Sequence, residues 1–429
     1  MLKKNVDLRG LAHFGKMSGG YFITTIINNA IPFLVLPILT RYLDPEEYAN
    51  IALFSFYLAL SNALTGISIP AVISKNFFDK EKSYIAQIIG NSIVVVFAFS
   101  LITLLIILIF YPFLSKYLEL DLLWMLLIPI ASFSWIVFSM GLTVLRNSKK
   151  VLVFTKHQVG NTLINFAFSV FFIVVLLWGW QGRVLGMIIS FMVSAIIMFV
   201  YLKVNNYVTF SFSKNIVRKI LDIALPMIPN SFQSVVISQV GIFFIQFYFT
   251  KEILGLYSIA FQLAVMIQIL ITTLNLSWQP FFYEQLSKPE KLNHIYLTRM
   301  FCLLIGVVII GALFINVFAG LILRIMTTPE YYNAKEFVPW FSLGFIFYGL
   351  YALLMPILIK FEKQNYISLV SFSNMFVMIG LNVWFADLFG YIGIAYAYCL
   401  TYLVMSVALF WKANRVFPLP WLRALKVWR

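Results

Sequence analysis

Charge is what this chain has least of. Asp, Glu, Lys and Arg make up 11% of its 429 residues, where a soluble domain carries about 25%. So few charged groups cannot clothe a surface in water, and a hydrophobic share of 62% points to lipid as the solvent. Acids are the scarcer sign, 16 against 31 Lys and Arg. None stands in the middle of an apolar run; Asp222, Glu336 and Asp387 lie near run ends. Proton relays and cation sites in transporters use a carboxylate inside the membrane. Its absence weighs against cation antiport and suits an anionic cargo, which a negative chamber would repel.

Cysteine is almost missing. Cys302 and Cys399 each sit inside an apolar run, which excludes a disulfide scaffold and fits small apolar filler. His13, His157 and His294 lack metal-ligand spacing, so no metal is expected, and no pattern calls for an organic cofactor. The net charge of +15 forms no continuous basic stripe or arm, which argues against nucleic-acid binding. The stretch GLAHFGKMS, residues 10–18, has the glycines and lysine of a phosphate loop. It lacks the following Ser or Thr and the preceding strand, so that reading fails. The first residues, MLKKNVDLRGLAHFGK, are polar and basic. The apolar run after them is too long for the core of a cleaved leader.

What is present is a series of long apolar runs. A hydrocarbon core about 30 Å thick needs roughly 20 residues of helix, and lipid requires backbone groups to be satisfied within the segment. Twelve spans are expected, at 17–40, 46–73, 84–112, 121–145, 158–179, 184–204, 220–249, 254–282, 296–323, 337–359, 366–387 and 391–411. With the N-terminus inside, only Arg41, Lys116, Arg183, Lys251, Arg324 and Lys335 of the 31 Lys and Arg fall in outer segments. That bias places both termini in the cytoplasm. No connection is long enough to form a domain, so any chemistry belongs to the spans.

The chain also echoes itself. Leu43, Glu46 and Ala49 align with Phe249, Glu252 and Gly255 at one common offset. Pro70 and Pro280 close equivalent spans, and Gly186 aligns with Gly393. An even number of spans per half makes the two repeats parallel, related by an axis along the membrane normal. The expected organisation is an N-terminal six-helix lobe at 1–204, a cytoplasmic linker at 205–219, a C-terminal six-helix lobe at 220–411 and a tail at 412–429.

Polar residues inside the spans fall into stripes when each residue is turned by about 100°. Gln268, Thr272, Asn275 and Gln279 share one arc of the eighth span. Tyr21, Thr25, Asn28 and Pro32 share one in the first. Asn230, Ser234, Ser238 and Gly241 share a face of the seventh, with Gln233 at its edge, and Asn62 of the second span matches Gln268. Two readings stand: hydrogen bonds between helices, or the wall of a wet cavity. Pro32 and Pro37, with Pro226 and Pro229, sit in matching spans, as hinges or as fixed kinks.

These stretches carry a resemblance. LPILTRYLDPEEYANIALF after the first span, ALPMIPNSFQ opening the seventh and LGLYSIAFQL in the eighth resemble the polysaccharide-transport flippases of the multidrug/oligosaccharidyl-lipid/polysaccharide (MOP) exporter superfamily, especially O-antigen flippases. Ala49 departs from the glycine usual at that turn. The resemblance implies an all-α polytopic membrane protein of twelve transmembrane helices in two pseudo-symmetric six-helix lobes, V-shaped and MATE-like, around a central cavity. It implies a transporter, not an enzyme, in the bacterial inner membrane. Its cargo would be a polyprenyl-diphosphate-linked oligosaccharide for O-antigen, lipopolysaccharide or a similar surface polysaccharide. Membrane lipids, a polysaccharide polymerase and a chain-length regulator are the implied partners; a coupling ion, proton or sodium, stays open. The alternatives are a drug or small-solute cation antiporter of the same fold and a membrane-embedded lipid-linked glycan polymerase, which would show a long outer loop. For the diphosphate, Arg41, Lys75, Arg146, Lys360 and Arg324 lie near span ends, where cations also serve as snorkelling anchors. Arg41 ends the span that bears Asn28 and completes the cavity candidates.

The orientation has a direct check. In a Cys302→Ser/Cys399→Ser background, a membrane-impermeant maleimide applied to intact cells labels Lys251→Cys and spares Lys288→Cys. The opposite pattern inverts the topology.

Overall fold

A peptide group surrounded by apolar side chains and lipid finds its partner along its own helix, and the long apolar runs fold accordingly. The computed structural model describes residues 28, 33, 35–66, 68–77, 80–286 and 293–421, and among the described residues there is no strand. Residues 35–42 form helix α1. Then come α2 (Pro45–Thr65), α3 (Ile69–Phe77), α4 (Lys82–Leu118), α5 (Leu122–Asn147), α6 (Val151–Val170) and α7 (Gly179–Val204). A short α8 (Lys214–Ala224) precedes α9 (Ile228–Tyr248), α10 (Lys251–Leu286), α11 (His294–Met326), α12 (Val338–Lys360), α13 (Gln364–Phe389) and α14 (Tyr391–Val416).

Among the described residues, ten stretches are long and apolar enough to cross a membrane, and α2 with α3, bent by 45°, makes an eleventh. They follow the expected spans one for one from the second onward; most of the first, 17–40, lies outside the described residues. The outward faces are apolar, with Phe113 76% and Val317 75% exposed, as lipid-facing side chains should be. Arg183, expected in an outer connection, lies in the opening turns of α7.

The helices gather into two compact units. One holds the described residues up to Leu43 with Leu53–Val235; the other holds Asp44–Ala52 with the described residues from Val236 onward. The division falls within α9, downstream of the expected linker at 205–219. Residues of that linker are stapled to α4: the Thr209 amide donates to the Ala86 carbonyl at 3.1 Å, the Ser213 amide to Asn91 Oδ1 at 3.0 Å, and Asn91 Nδ2 to the Ser211 carbonyl at 2.9 Å. Ile216, Ile220 and Ala224 then bury one stripe of α8.

The first turns of α2 join the second unit for a steric reason. Gly255 of α10 has no Cβ, and one placed there would lie 2.0 Å from the Pro45 carbonyl. Ala49 is fully buried. Tyr48 donates its hydroxyl to Gln262 Oε1 and meets the Tyr331 ring edge-on at 6.2 Å. Burial, then Tyr48 and the carboxylates Asp44, Glu330 and Glu47, hold the Tyr331 phenol above the ordinary tyrosine range, so it stays neutral. The related stretches at 36–48 and 246–257 thus include two helix starts that pack on each other.

Each unit repeats one packing scheme. In the first, α5 packs on α3, α4 and α7, and α6 on α7; in the second, α12 packs on α10, α11 and α14, and α13 on α14. The α12–α14 contact is aromatic, with Tyr398 meeting Phe341 and Phe345 at centroid distances of 5.4 and 5.6 Å and Tyr402 meeting Tyr348 at 5.4 Å. The α6–α7 contact is polar. Arg183 donates to Asn165 Oδ1 at 2.5 Å and to Ser169 Oγ at 2.6 Å, Asn165 Nδ2 donates to Ser190 at 3.2 Å, and Ser194 donates to Asn161 at 3.0 Å. This seam escaped the sequence reading, although Asn161, Asn165 and Ser169 recur every four residues, the spacing of a helix face.

The equivalent glycines Gly186 and Gly393 let α7 and α14 close on their neighbours. A Cβ would lie 2.7 Å from the Ser169 amide nitrogen in the first case and 2.0 Å from the Phe385 carbonyl in the second. Gly393→Ala and Gly186→Ala are therefore expected to lower stability by about 1–3 kcal/mol, read as a falling melting temperature in detergent. Gly380→Ala, with nothing within 4 Å of the added carbon, leaves it unchanged or raises it. Arg183→Met, which strips the seam of its charged donor, should cost about 1.5–3 kcal/mol in the same assay.

Candidate substrate cavity

Helix α2 carries Ala59, Asn62 and Ala63 on one side, three and four residues apart, so two small side chains flank an amide. The opening turns of α9 carry Asn230, Ser231, Ser234 and Val235. These seven residues line an open cavity of about 450 Å³ in the first unit. Its shape follows from breaks in two helices. Helix α2 ends at Thr65 before the 45° bend into α3, and α9 begins only after a 3₁₀ turn, Leu225–Met227, that contains Pro226. Pro229 is the second residue of α9, where its missing amide hydrogen costs no helical bond. A 3.1 Å hydrogen bond between Ser68 and Ser231 ties the bend to α9.

The chemistry of the wall is uncharged. Ser132 of α5 donates to Asn62 Oδ1 at 2.7 Å, so the group Asn62 offers a ligand is its amide NH2. Asn230 and Ser234 are exposed and add an amide and a hydroxyl, while Ser231 adds a second hydroxyl. No carboxylate or cation is among the lining residues. Such a surface hydrogen-bonds polar neutral groups such as sugar hydroxyls, and it cannot neutralise a charge.

Asn62 of the second span and Asn230 and Ser234 of the seventh, candidates for a cavity wall, line the same cavity. Gln233 departs from that expectation. It is 6% exposed and is not among the residues that line the cavity. Asn28 also departs, since its Oδ1 accepts from Thr162 of α6 at 2.7 Å in a helix–helix contact. Tyr21, Thr25 and Pro32 lie outside the described residues. Pro37 sits within α1, and Arg41 is exposed at that helix's end.

The other stripe belongs to the second unit. On α10, Gln268 lies beside the Tyr348 hydroxyl of α12, and Thr272 returns its hydroxyl to the Gln268 carbonyl at 2.8 Å. Asn275 buries its side-chain oxygen without a donor among the described residues. Gln279 donates to the Tyr283 hydroxyl at 3.4 Å, and the Tyr283 ring carries Lys360 at 5.8 Å. The stripe therefore runs from a tyrosine to a cation. Of the remaining cations, Arg146 lies over the Phe154 ring at 5.6 Å, and Lys75 lines a separate cavity with Lys219. Among the described residues, no group of three His, Cys, Asp or Glu could hold a metal ion.

Known proteins match on both sequence and fold. A profile of the family described as "Polysaccharide biosynthesis protein" matches residues 15–286, more than half of the chain. A protein of the Lsg locus of Haemophilus influenzae is 25% identical over 288 residues, 63% of this chain and 66% of its own length. A second Haemophilus influenzae protein, an uncharacterized membrane protein, is 24% identical over 298 residues, 68% of this chain and 70% of its own. The chain thus spans just under two thirds of the first relative. Among solved structures, an inward-facing multidrug resistance MATE family transporter of the MOP superfamily is similar with a TM-score of 0.70 at 14% identity, covering 94% of this chain and all of that one. A MOP superfamily transporter from Pyrococcus furiosus, whose binding pocket is described as of reverse polarity, is similar with a TM-score of 0.62 at 16% identity over 94% and 95% of the two chains. With its helices, its repeated packing and its uncharged cavity, the chain belongs to the polysaccharide biosynthesis protein family, as a multi-pass membrane protein whose fold is that of MOP superfamily transporters.

Proposed function

We propose that the protein is a flippase for polyprenyl-diphosphate-linked oligosaccharide, the repeat unit of an O-antigen or similar surface polysaccharide. It moves this lipid from the cytoplasmic to the periplasmic leaflet of a bacterial inner membrane, with both termini in the cytoplasm. The observation that carries the reading is the cavity wall of Asn62, Asn230, Ser231 and Ser234 in a member of a polysaccharide family. A sugar chain drawn unaided through hydrocarbon loses its water, at several kcal/mol for each polar group left unpaired. Amides and hydroxyls along the route replace those lost hydrogen bonds one by one. The polyprenyl tail needs no such help and stays in the bilayer.

Alternating exposure of the cavity to the two sides completes the cycle, with the Pro226–Pro229 joint as its hinge. Gln268, Thr272, Asn275 and Gln279 give the second unit a polar face of its own. Cation antiport is the weaker reading, because Asp222, Glu336 and Asp387 stay near helix ends and leave the spans without a titrating carboxylate. A polysaccharide polymerase and chain-length regulator downstream would draw the product away.

Reconstitution in liposomes decides the matter. Wild-type protein is expected to move fluorescent lipid-linked oligosaccharide to the leaflet where an impermeant glycosidase cuts it. Asn62→Leu and Asn230→Leu each slow that transfer about threefold to tenfold, the worth of one hydrogen bond, without changing the melting temperature by more than a few degrees. Failure of the wild type to move the lipid, with export of a cationic dye instead, overturns the reading.

A further inference from the structure

A second cavity of about 260 Å³ opens in the first unit, and it shares no lining residue with the polar wall above. It is enclosed by α3, the start of α4 and the amphipathic α8. Its floor is aliphatic, with Val72 and Ile220 each 1% exposed. Its rim is charged, with Lys75 from α3, Lys219 and Asp222 from α8, and Tyr84 from α4. Lys219 Nζ stands 5.8 Å from the centre of the Tyr84 ring, within the reach of a cation–π contact, so an aromatic face braces one of the two ammonium groups. Among the described residues, neither lysine has a carboxylate within ion-pair distance.

These features converge on one ligand class. Two lysines above an apolar floor recognise an anion attached to a hydrocarbon chain, the charge at the rim and the chain in the pocket. A water molecule occupies about 30 Å³ of liquid, so 260 Å³ admits a phosphate with its ester stub and the first carbons of a chain. Asp222 leaves the rim net positive and supplies an acceptor for a hydroxyl beside the phosphate. Helix α8 packs Ile216 and Ile220 into the protein core and leaves Lys214, Arg218 and Lys219 exposed.

We infer that the Lys75–Lys219 cavity binds the phosphate end of a lipid. Two sources share this chemistry, the headgroup of a bilayer phospholipid and the diphosphate of a polyprenyl lipid. The inference is independent of which solute the protein transports, because it concerns occupancy of a site outside the polar cavity.

The test uses the full-length protein in neutral detergent and two soluble probes, farnesyl diphosphate and dihexanoyl phosphatidylglycerol, with farnesol and dihexanoylglycerol as phosphate-free controls. Binding is read by native mass spectrometry. Lys75→Gln/Lys219→Gln is expected to weaken binding of at least one phosphate probe about tenfold or more, and the controls do not bind. Weakening of farnesyl diphosphate alone assigns the site to a polyprenyl lipid, and weakening of phosphatidylglycerol alone assigns it to the bilayer. Loss of both assigns it to lipid phosphate of either source. Unchanged binding of both probes overturns the inference. Acetic anhydride footprinting of the wild type guards against a variant that fails to fold: a bound probe protects Lys75 and Lys219 but not Lys251, and equal labelling with and without probe also overturns it.

Discussion

A peptide group carried into hydrocarbon without a hydrogen-bond partner costs several kcal/mol, and almost every feature of this chain answers that constraint. Long apolar helices satisfy their own backbones. Where a helix must break, a local device takes up the loose groups. Helix α6 continues as a π turn at Phe171–Val175 before α7. Pro226 sits in a 3₁₀ turn where the ladder has already changed. The linker after α7 gives its amides and carbonyls to Ala86 and Asn91 of α4.

The same constraint sorts the polar side chains. Those on the α6–α7 seam are consumed by one another, and Arg183 is held by Asn165 and Ser169. Those around Asn62, Asn230 and Ser234 border an open cavity, with Asn62 taking a bond from Ser132 and Ser231 one with Ser68. In lipid the first arrangement is helix cement. The second needs a polar occupant, which is why the proposed function rests on that wall and not on the seam.

Much of the fold was legible because it follows from run length and periodicity. The spans from the second onward match, and so does the repeat: Gly186 and Gly393, paired by alignment, both relieve a close helix contact. The site was legible only in part. A 100° rotation per residue puts Asn230 and Ser234 on one face, and both line one cavity. The same arithmetic treats Asn28 as an equal, because periodicity describes a face and not the neighbour that face meets. Thr162 of α6 is that neighbour. Gln233 failed for the same reason, and Arg183 was assigned to a connection because a single charge near a span end looks like its boundary.

By itself the sequence determined the solvent, the helices and the doubled plan, since each depends on composition and local spacing along one chain. Only the tertiary structure decided which polar groups were spent. It showed Tyr48 bonded to Gln262, Lys75 brought beside Lys219 by the packing of α8, and the first turns of α2 joined to the second unit. Those facts depend on contacts between residues far apart in the chain. A hydrogen bond or a cavity is a property of the pair of surfaces that meet, and no single stretch of sequence contains both.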